Sequence, residues 1–157
     1  NKLSEYFPED IRLNKIATRC MKIAQSGQYN FPRCMKRDET VAARMAETEF
    51  IDEAVHMIYL LNRVYKPFYK WFHRRLKELP ILGEEIHVMI GKLVKFPFDE
   101  TYRKVEIIEK ICANIITEMK RQGVIEVIKS DFLLDYGPEI QASIKDEKLR
   151  NWSPWLD

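Results

Sequence analysis

The spacing of the apolar residues constrains the fold more than any other feature of this sequence. Along most of the chain they recur every three or four positions, which places them on one side of an α-helix. Five glycines and seven prolines are the only strong helix breakers in 157 residues, and they stand where helices can end. The sequence therefore predicts an all-α fold, a single bundle of about five to seven helices over residues 1–157.

The first helix is expected to begin near Pro8 and to end at Gly27, in the left-handed conformation that favours glycine. Residues 28–37 are then expected to form a connecting loop that either carries binding residues or plugs the end of the bundle. The apolar side of this helix is formed by Ile11, Ile16, Cys20, Ile23 and Ala24.

The second helix is predicted to be capped by Asp38 or Thr40 and to run to about Tyr65, with Pro67 ending or kinking it. A further helix re-forms from Pro67 to about Leu79. The core stripe of the second helix is predicted to be Val41, Met45, Phe50, Ala54, Met57, Ile58 and Leu61.

A shorter helix follows Gly83, and another runs from Asp99 to about Gln122. Residues 124–128 are apolar enough for a strand, but no second strand exists to pair with them, so a loop or helical turn is expected. Residues 131–149 are predicted to be helical. The inward residues of the two middle helices are predicted to be Ile86, Met89, Ile90, Leu93 and Val94, then Val105, Ile108, Ile111, Cys112, Ile115 and Met119.

Residues 60–76 combine five aromatic with six basic side chains. Treated as one helix, this run presents an apolar face, on which Phe68 and Trp71 are expected to be core residues, and a cationic face. The cations either pair with the acidic helix upstream or bind a polyphosphate. The cationic face consists of Arg63, Lys66, Lys70, His73, Arg74 and Lys77, and the acidic helix carries Glu47, Glu49, Asp52 and Glu53.

Charge and hydropathy argue against two classes of function, extended nucleic-acid binding and membrane spanning. A net charge of +2 is too balanced for an extended nucleic-acid surface. No apolar run approaches the roughly 20 residues that cross a membrane, and three cysteines without C-x-x-C spacing favour a reduced, cytoplasmic protein. The sequence starts at Asn1 without a methionine, which leads us to expect a C-terminal fragment of a longer protein.

The sequence contains few motifs that indicate a metal site or a catalytic site. Glu-x-x-His occurs twice, at Glu53/His56 and Glu84/His87, and di-iron helical bundles use such a pairing. A P-loop, a nucleophile elbow and a glycine-rich dinucleotide turn are all missing from the sequence, so no catalytic residue is predicted. The further carboxylates that a di-iron centre would need could come from Glu47 and from Glu106 or Glu109.

Three segments together resemble a known family. They are Gly-Gln-Tyr-Asn-Phe-Pro-Arg at 27–33, Glu-Phe-Ile at 49–51, and Leu-Leu-Asn-Arg-Val-Tyr-Lys-Pro-Phe-Tyr-Lys-Trp at 60–71. From about Tyr6 to Trp152 the chain resembles the bacterial domain-of-unknown-function family 4037, a helical domain found C-terminal to nucleotidyltransferase-like domains.

The resemblance implies a bundle like the C-terminal helical domain of kanamycin-type nucleotidyltransferases, which walls an active-site cleft. It implies an N-terminal nucleotidyltransferase-like domain as partner, a nucleotide or small-molecule acceptor as ligand, and Mg²⁺ with a nucleoside triphosphate in the full-length protein. The substrate- or nucleotide-binding residues would be Asn62, Arg63, Tyr69 and Lys70, joined by Tyr29, Asn30 and Arg33 from the adjoining loop.

This chain lacks the Gly-Ser turn and the Asp-x-Asp pair with which such enzymes hold Mg²⁺, so it should not be catalytic alone and should need no cofactor of its own. The expected function is that of a helical accessory domain of a nucleotidyltransferase-like protein. The alternatives are a structural or interaction module without a ligand and, more remotely, a di-iron carboxylate bundle.

Overall fold

The fold was obtained as a computed structural model that describes residues 5–157. Within that range all regular structure is helical and no strand forms, which confirms the predicted all-α class. A π-helical segment, Ala24–Asn30, joins α1 to α2, and a 3₁₀ turn at Leu133–Asp135 precedes α7. The helices are α1 (Glu9–Ile23), α2 (Phe31–Lys36), α3 (Thr40–Leu61), α4 (Tyr69–Leu76), α5 (Gly83–Lys95), α6 (Thr101–Arg121), α7 (Gly137–Ala142) and α8 (Glu147–Arg150).

The core lies where α1, α3 and α6 meet, with α5 packed on α6 and α7 on α1. Most of the stripes expected from the spacing are buried there, including both cysteines of the helical core, Cys20 and Cys112. Residues 124–128 form no strand, in agreement with the prediction. No helix in the described part of the chain combines the length and the hydropathy that crossing a membrane requires.

The chain does not leave the helix at Gly27. The π-helical segment carries it without a loop into α2, so the loop predicted over residues 28–37 is wrong. Among residues 5–157 the glycine with a left-handed backbone is Gly123, not Gly27. Gly27 instead permits a close approach, because a Cβ there would overlap the ring of Phe50 in α3.

Helix α3 ends at Leu61, four residues before the predicted end. Asn62 follows as its C-cap and Arg63 takes a left-handed conformation with φ 56°. Pro67 therefore lies in a loop, residues 62–68, and bends no helix. Helix α4 is also shorter than the predicted span from Pro67 to Leu79.

Several predicted core residues are exposed. Val41 and Met45 have 76% and 69% of their surface in water, because the face of α3 that packs inward carries small residues and Glu47 instead. Phe68 and Trp71 are 64% and 48% exposed, since the loop before α4 resets the helical phase that would have turned them inward. Ile11 and Val94 are also exposed, and the buried face of the first half of α3 is Ala43, Ala46, Glu47 and Phe50.

Candidate functional site

The loop between α3 and α4 is held in place by Asn62. Its Nδ2 donates to the carbonyls of Ile58 at 2.8 Å and Ile81 at 2.9 Å, and its Oδ1 accepts from the Ile81 N–H at 2.9 Å. These bonds tie the end of α3 to the turn before α5. The amide of Asn62, a predicted binding residue, is thus engaged within the protein.

Helix α4 rests with one side on the body. The Tyr59 hydroxyl donates to the Phe72 carbonyl at 2.8 Å, and Leu76 is fully buried. His73 stacks on His87 of α5, with 4.3 Å between ring centroids and 11° between planes. The contacts on this side leave the remainder of α4 facing solvent.

An open groove of about 1010 Å³ lies between α3 and α4. We call it the α3–α4 groove. Apolar groups from both helices meet in it, and three carboxylates stand on its α3 side. It is lined by Val41, Arg44, Met45, Thr48, Glu49, Ile51, Asp52, Glu53, Tyr69 and Phe72.

Helix α4 carries exposed aromatic rings and exposed cations, and among them Tyr69 lines the groove. Tyr69 is 64% exposed and lies 4.6 Å from the ring of Phe68. Lys70 and Arg74 are exposed, with the Arg74 guanidinium 5.6 Å from the Trp71 ring. Within residues 5–157 neither cation has a carboxylate at ion-pair distance, and both stay available to an anionic ligand.

The expected ion pairing inside the bundle is confirmed for one of the α3–α4 cations. Lys66 Nζ lies 3.2 Å from Asp52 Oδ1 of α3. Arg63 Nη1 pairs instead with Glu9 of α1, at 2.7 Å, and this pair is about half exposed on both sides.

The remaining candidates lie on the π-helical segment and α2. Arg33 Nη1 donates to the Tyr29 hydroxyl at 2.6 Å, and its guanidinium sits 4.8 Å from that ring. Asn30 is partly exposed beside them. Phe31, by contrast, is buried and plugs the bundle end against Phe98, while Tyr29 remains half exposed.

The seven candidates therefore occupy three places. Tyr29, Asn30 and Arg33 lie together on the π-helical segment and α2, and Asn62 and Arg63 are bonded to the α4–α5 turn and to α1. Tyr69 and Lys70 adjoin on α4, where Tyr69 lines the groove.

Behind the groove lies a polar network that the sequence reasoning missed. Arg19 Nε is 2.6 Å from Glu53 Oε2, and Arg19 Nη1 is 2.8 Å from His56 Nδ1 and 3.0 Å from Asp157 Oδ2. Because arginine can only donate, His56 Nδ1 accepts. The one signal in the sequence was a charged residue, Arg19, among the apolar positions of α1.

Burial sets the protonation of this network. It lowers the pKa of His56 to about 3, with Arg19 acting in the same direction, so the imidazole is neutral at pH 7. Burial raises the pKa of the Glu53 carboxyl, and the positive charge of Arg19 opposes that effect.

The di-iron alternative finds no support in the packing. Glu47 is bound by Lys104 at 3.0 Å, Glu53 and His56 are both engaged by Arg19, and His87 stacks on a second imidazole. In the described range no three His, Cys, Asp or Glu side chains gather in a way that could hold a metal ion.

Comparison with known proteins agrees with the resemblance. The model of a family described as "Domain of unknown function (DUF4037)" matches residues 1–72. The match runs from α1 through α3 into α4 and includes all seven candidate residues, and it confirms the resemblance over that stretch. No curated protein sequence and no solved structure gives a significant match.

Proposed function

We propose that this chain is a helical accessory domain of a bacterial, cytoplasmic nucleotidyltransferase-like protein, and that the α3–α4 groove forms part of its nucleotide- or acceptor-binding cleft. The observation that carries the proposal is the side of α4 at this groove. Tyr69 is an exposed ring that lines the groove, and the next residue of α4, Lys70, is an exposed cation with no carboxylate partner among the described residues. The family match over residues 1–72 supports the resemblance from which the nucleotidyltransferase context is inferred.

The two sides of the groove suit different chemical groups. Aromatic faces stack on nucleobases, and Lys and Arg side chains bind phosphate, so the α4 side suits a nucleotide. Glu49 and Asp52 on α3 can accept hydrogen bonds from hydroxyl or amino groups, so that side suits an acceptor. Mg²⁺ and the chemical step would belong to the N-terminal partner domain.

The test is ligand binding by the protein that includes its partner domain. Lys70→Ala should weaken ATP binding at least tenfold in isothermal calorimetry, because a charge-assisted bond to phosphate is lost. Tyr69→Ala should weaken it similarly through lost stacking. Lys120→Ala, an exposed lysine on α6, is the matched control and should leave the affinity unchanged.

Both variants binding ATP and acceptor as tightly as the control would contradict the proposal. Circular dichroism should show unaltered helix content, because both side chains are exposed.

A second candidate function is an interaction module without a small ligand. Exposed Val41 and Met45, which both line the groove, favour it, since apolar groups gathered in one region of a surface commonly mark a protein interface. In that case no nucleotide would shift the melting temperature, whereas the N-terminal partner domain would.

A further inference from the structure

Helix α1 buries polar side chains on the face that meets the end of the chain. Asn14, Thr18 and Arg19 are 3%, 0% and 3% exposed. Burying such groups is unfavourable unless each finds a hydrogen-bond or ionic partner. Together with Lys15 we call them the α1 pocket.

The last two residues of the sequence supply some of these partners, beside Gln141 for Asn14, the Asn14 carbonyl for Thr18, and Glu53 and His56 for Arg19. The Leu156 carbonyl accepts from Asn14 Nδ2 at 2.9 Å and from Thr18 Oγ1 at 3.1 Å. The Asp157 side chain lies 3.0 Å from Arg19 Nη1 and 3.5 Å from Lys15 Nζ. One carbonyl thus meets two neutral donors, and one carboxylate meets two cations.

Few apolar contacts hold this end of the chain. Trp152 and Leu156 keep 52% and 60% of their surface in water, and Trp155 is only partly buried. A segment attached by a few polar contacts opens at low free energy, whereas α1 belongs to the core. The α1 pocket is therefore expected to stay formed when residues 155–157 detach from it.

The pocket adjoins the α3–α4 groove through one side chain. Arg19 divides its guanidinium between Asp157 and Glu53, and Glu53 lines the groove. When Asp157 is released, Arg19 keeps only Glu53 and His56 as partners.

We propose that the α1 pocket is a binding site for an extended peptide that carries a carboxylate, and that the chain fills it in cis with its own residues 155–157 as a detachable strap. The donors match that chemistry: two neutral donors suit a backbone carbonyl, and two cations suit an aspartate one residue later. This proposal holds whether or not the groove binds a nucleotide.

The experiment uses the full chain and a synthetic peptide of residues 151–157, Asn-Trp-Ser-Pro-Trp-Leu-Asp, with an amidated end and a fluorescent label. Fluorescence polarisation measures its binding to the wild type and to Asp157→Asn. We expect the variant to bind the peptide at least tenfold more tightly, because its own strap competes less well for Arg19 and Lys15. A peptide ending in Asn should bind at least tenfold more weakly than the one ending in Asp.

Two further variants locate the site. Thr18→Val in the Asp157→Asn background keeps the side-chain shape and removes a donor, so it should weaken peptide binding several-fold. Thr117→Val, an exposed change on α6, should leave binding unchanged. Equal peptide binding by the wild type and Asp157→Asn, or binding that Thr18→Val leaves intact, would overturn the proposal.

Discussion

Lys104 is a fully buried cation whose partners come from two other helices. Its Nζ lies 3.0 Å from Glu47 Oε2 of α3 and donates to the Leu93 carbonyl of α5 at 2.7 Å. Replacing Lys104 by Met should lower the free energy of unfolding by about 3–5 kcal/mol, because the Glu47 carboxylate is left buried without a counter-charge. Urea denaturation measures the change.

The double variant Lys104→Met/Glu47→Leu is the control for this pair. With both charges gone, an apolar contact takes their place, and most of the lost stability should return. A double variant as unstable as the single one would show that Lys104 acts through its packing and not through its charge.

His56 should make the fold sensitive to acid. Its pKa is about 3 in the folded protein and about 6.5 when unfolded, so between these values the unfolded chain binds a proton that the folded chain does not. Stability is therefore complete above pH 6.5 and falls as the pH drops towards 3. At pH 5 the loss due to His56 should be about 2 kcal/mol relative to pH 7.

His56→Gln is the variant that isolates this effect. Its side-chain oxygen can still accept from Arg19, but it does not titrate. Urea denaturation at pH 7 and pH 5 should show a smaller loss of stability in the variant than in the wild type. Equal losses would assign the acid sensitivity to the carboxylates instead.

Sequence patterns identified the apolar core residues but not their buried polar neighbours. Cys20, Cys112 and Ile115 were identified because apolar spacing within one helix suffices to place them. Two buried ion pairs join residues on different helices that are far apart in the sequence: Lys104–Glu47 and Arg19–Glu53. Local sequence spacing does not predict such contacts between helices. No pattern in the sequence marks Lys104 as buried, since most lysines lie at the protein surface.

At the scale of an element, the π-helical segment depends on the missing side chain of Gly27. A Cβ there would overlap the Phe50 ring, so Gly27→Ala should push α3 away from the segment. We expect a loss of about 1–3 kcal/mol, typical of an overfilled core. Thermal unfolding followed by circular dichroism measures it.

Gly91 in α5 provides the matched control. A Cβ at this position meets nothing within 4 Å, so Gly91→Ala should stabilise the helix by up to about 1 kcal/mol through helix propensity alone. Destabilisation of similar size at both positions would show that the Phe50 contact is not the cause.

The errors at the scale of elements have identifiable physical causes. On α3 the inward face carries Ala43, Ala46 and Glu47, which look less apolar than the outward Val41 and Met45. Periodicity alone selects the more hydrophobic face, and here that face lies towards the α3–α4 groove. The break at Arg63 could not be foreseen either, because a left-handed arginine is uncommon and its position depends on the bond from Asn62 to Ile81.

At the scale of the whole molecule, the all-α class followed from the sequence, while the arrangement of the candidate residues did not. Asn62, Arg63, Tyr69 and Lys70 were expected to face one cleft, with the helix ending or kinking at Pro67 between them. The loop at residues 62–68 separates the two pairs: Tyr69 lines the groove, whereas Asn62 and Arg63 bind Ile81 and Glu9. The groove itself arises from two helices whose packing no local pattern specifies.

The exposed apolar residues at the α3–α4 groove offer a surface for the proposed N-terminal partner domain. If the α3–α4 groove faces an N-terminal partner domain, Met45→Ser should weaken association with that domain, produced separately, because an apolar contact is lost at the interface. The stability of the isolated chain should change by less than about 0.5 kcal/mol, since Met45 is mostly exposed there. Val127→Ser, at a 64% exposed residue outside the groove, is the matched control. Calorimetry of the two domains should give a weaker affinity for Met45→Ser than for Val127→Ser. Equal affinities would place the partner domain elsewhere on the bundle.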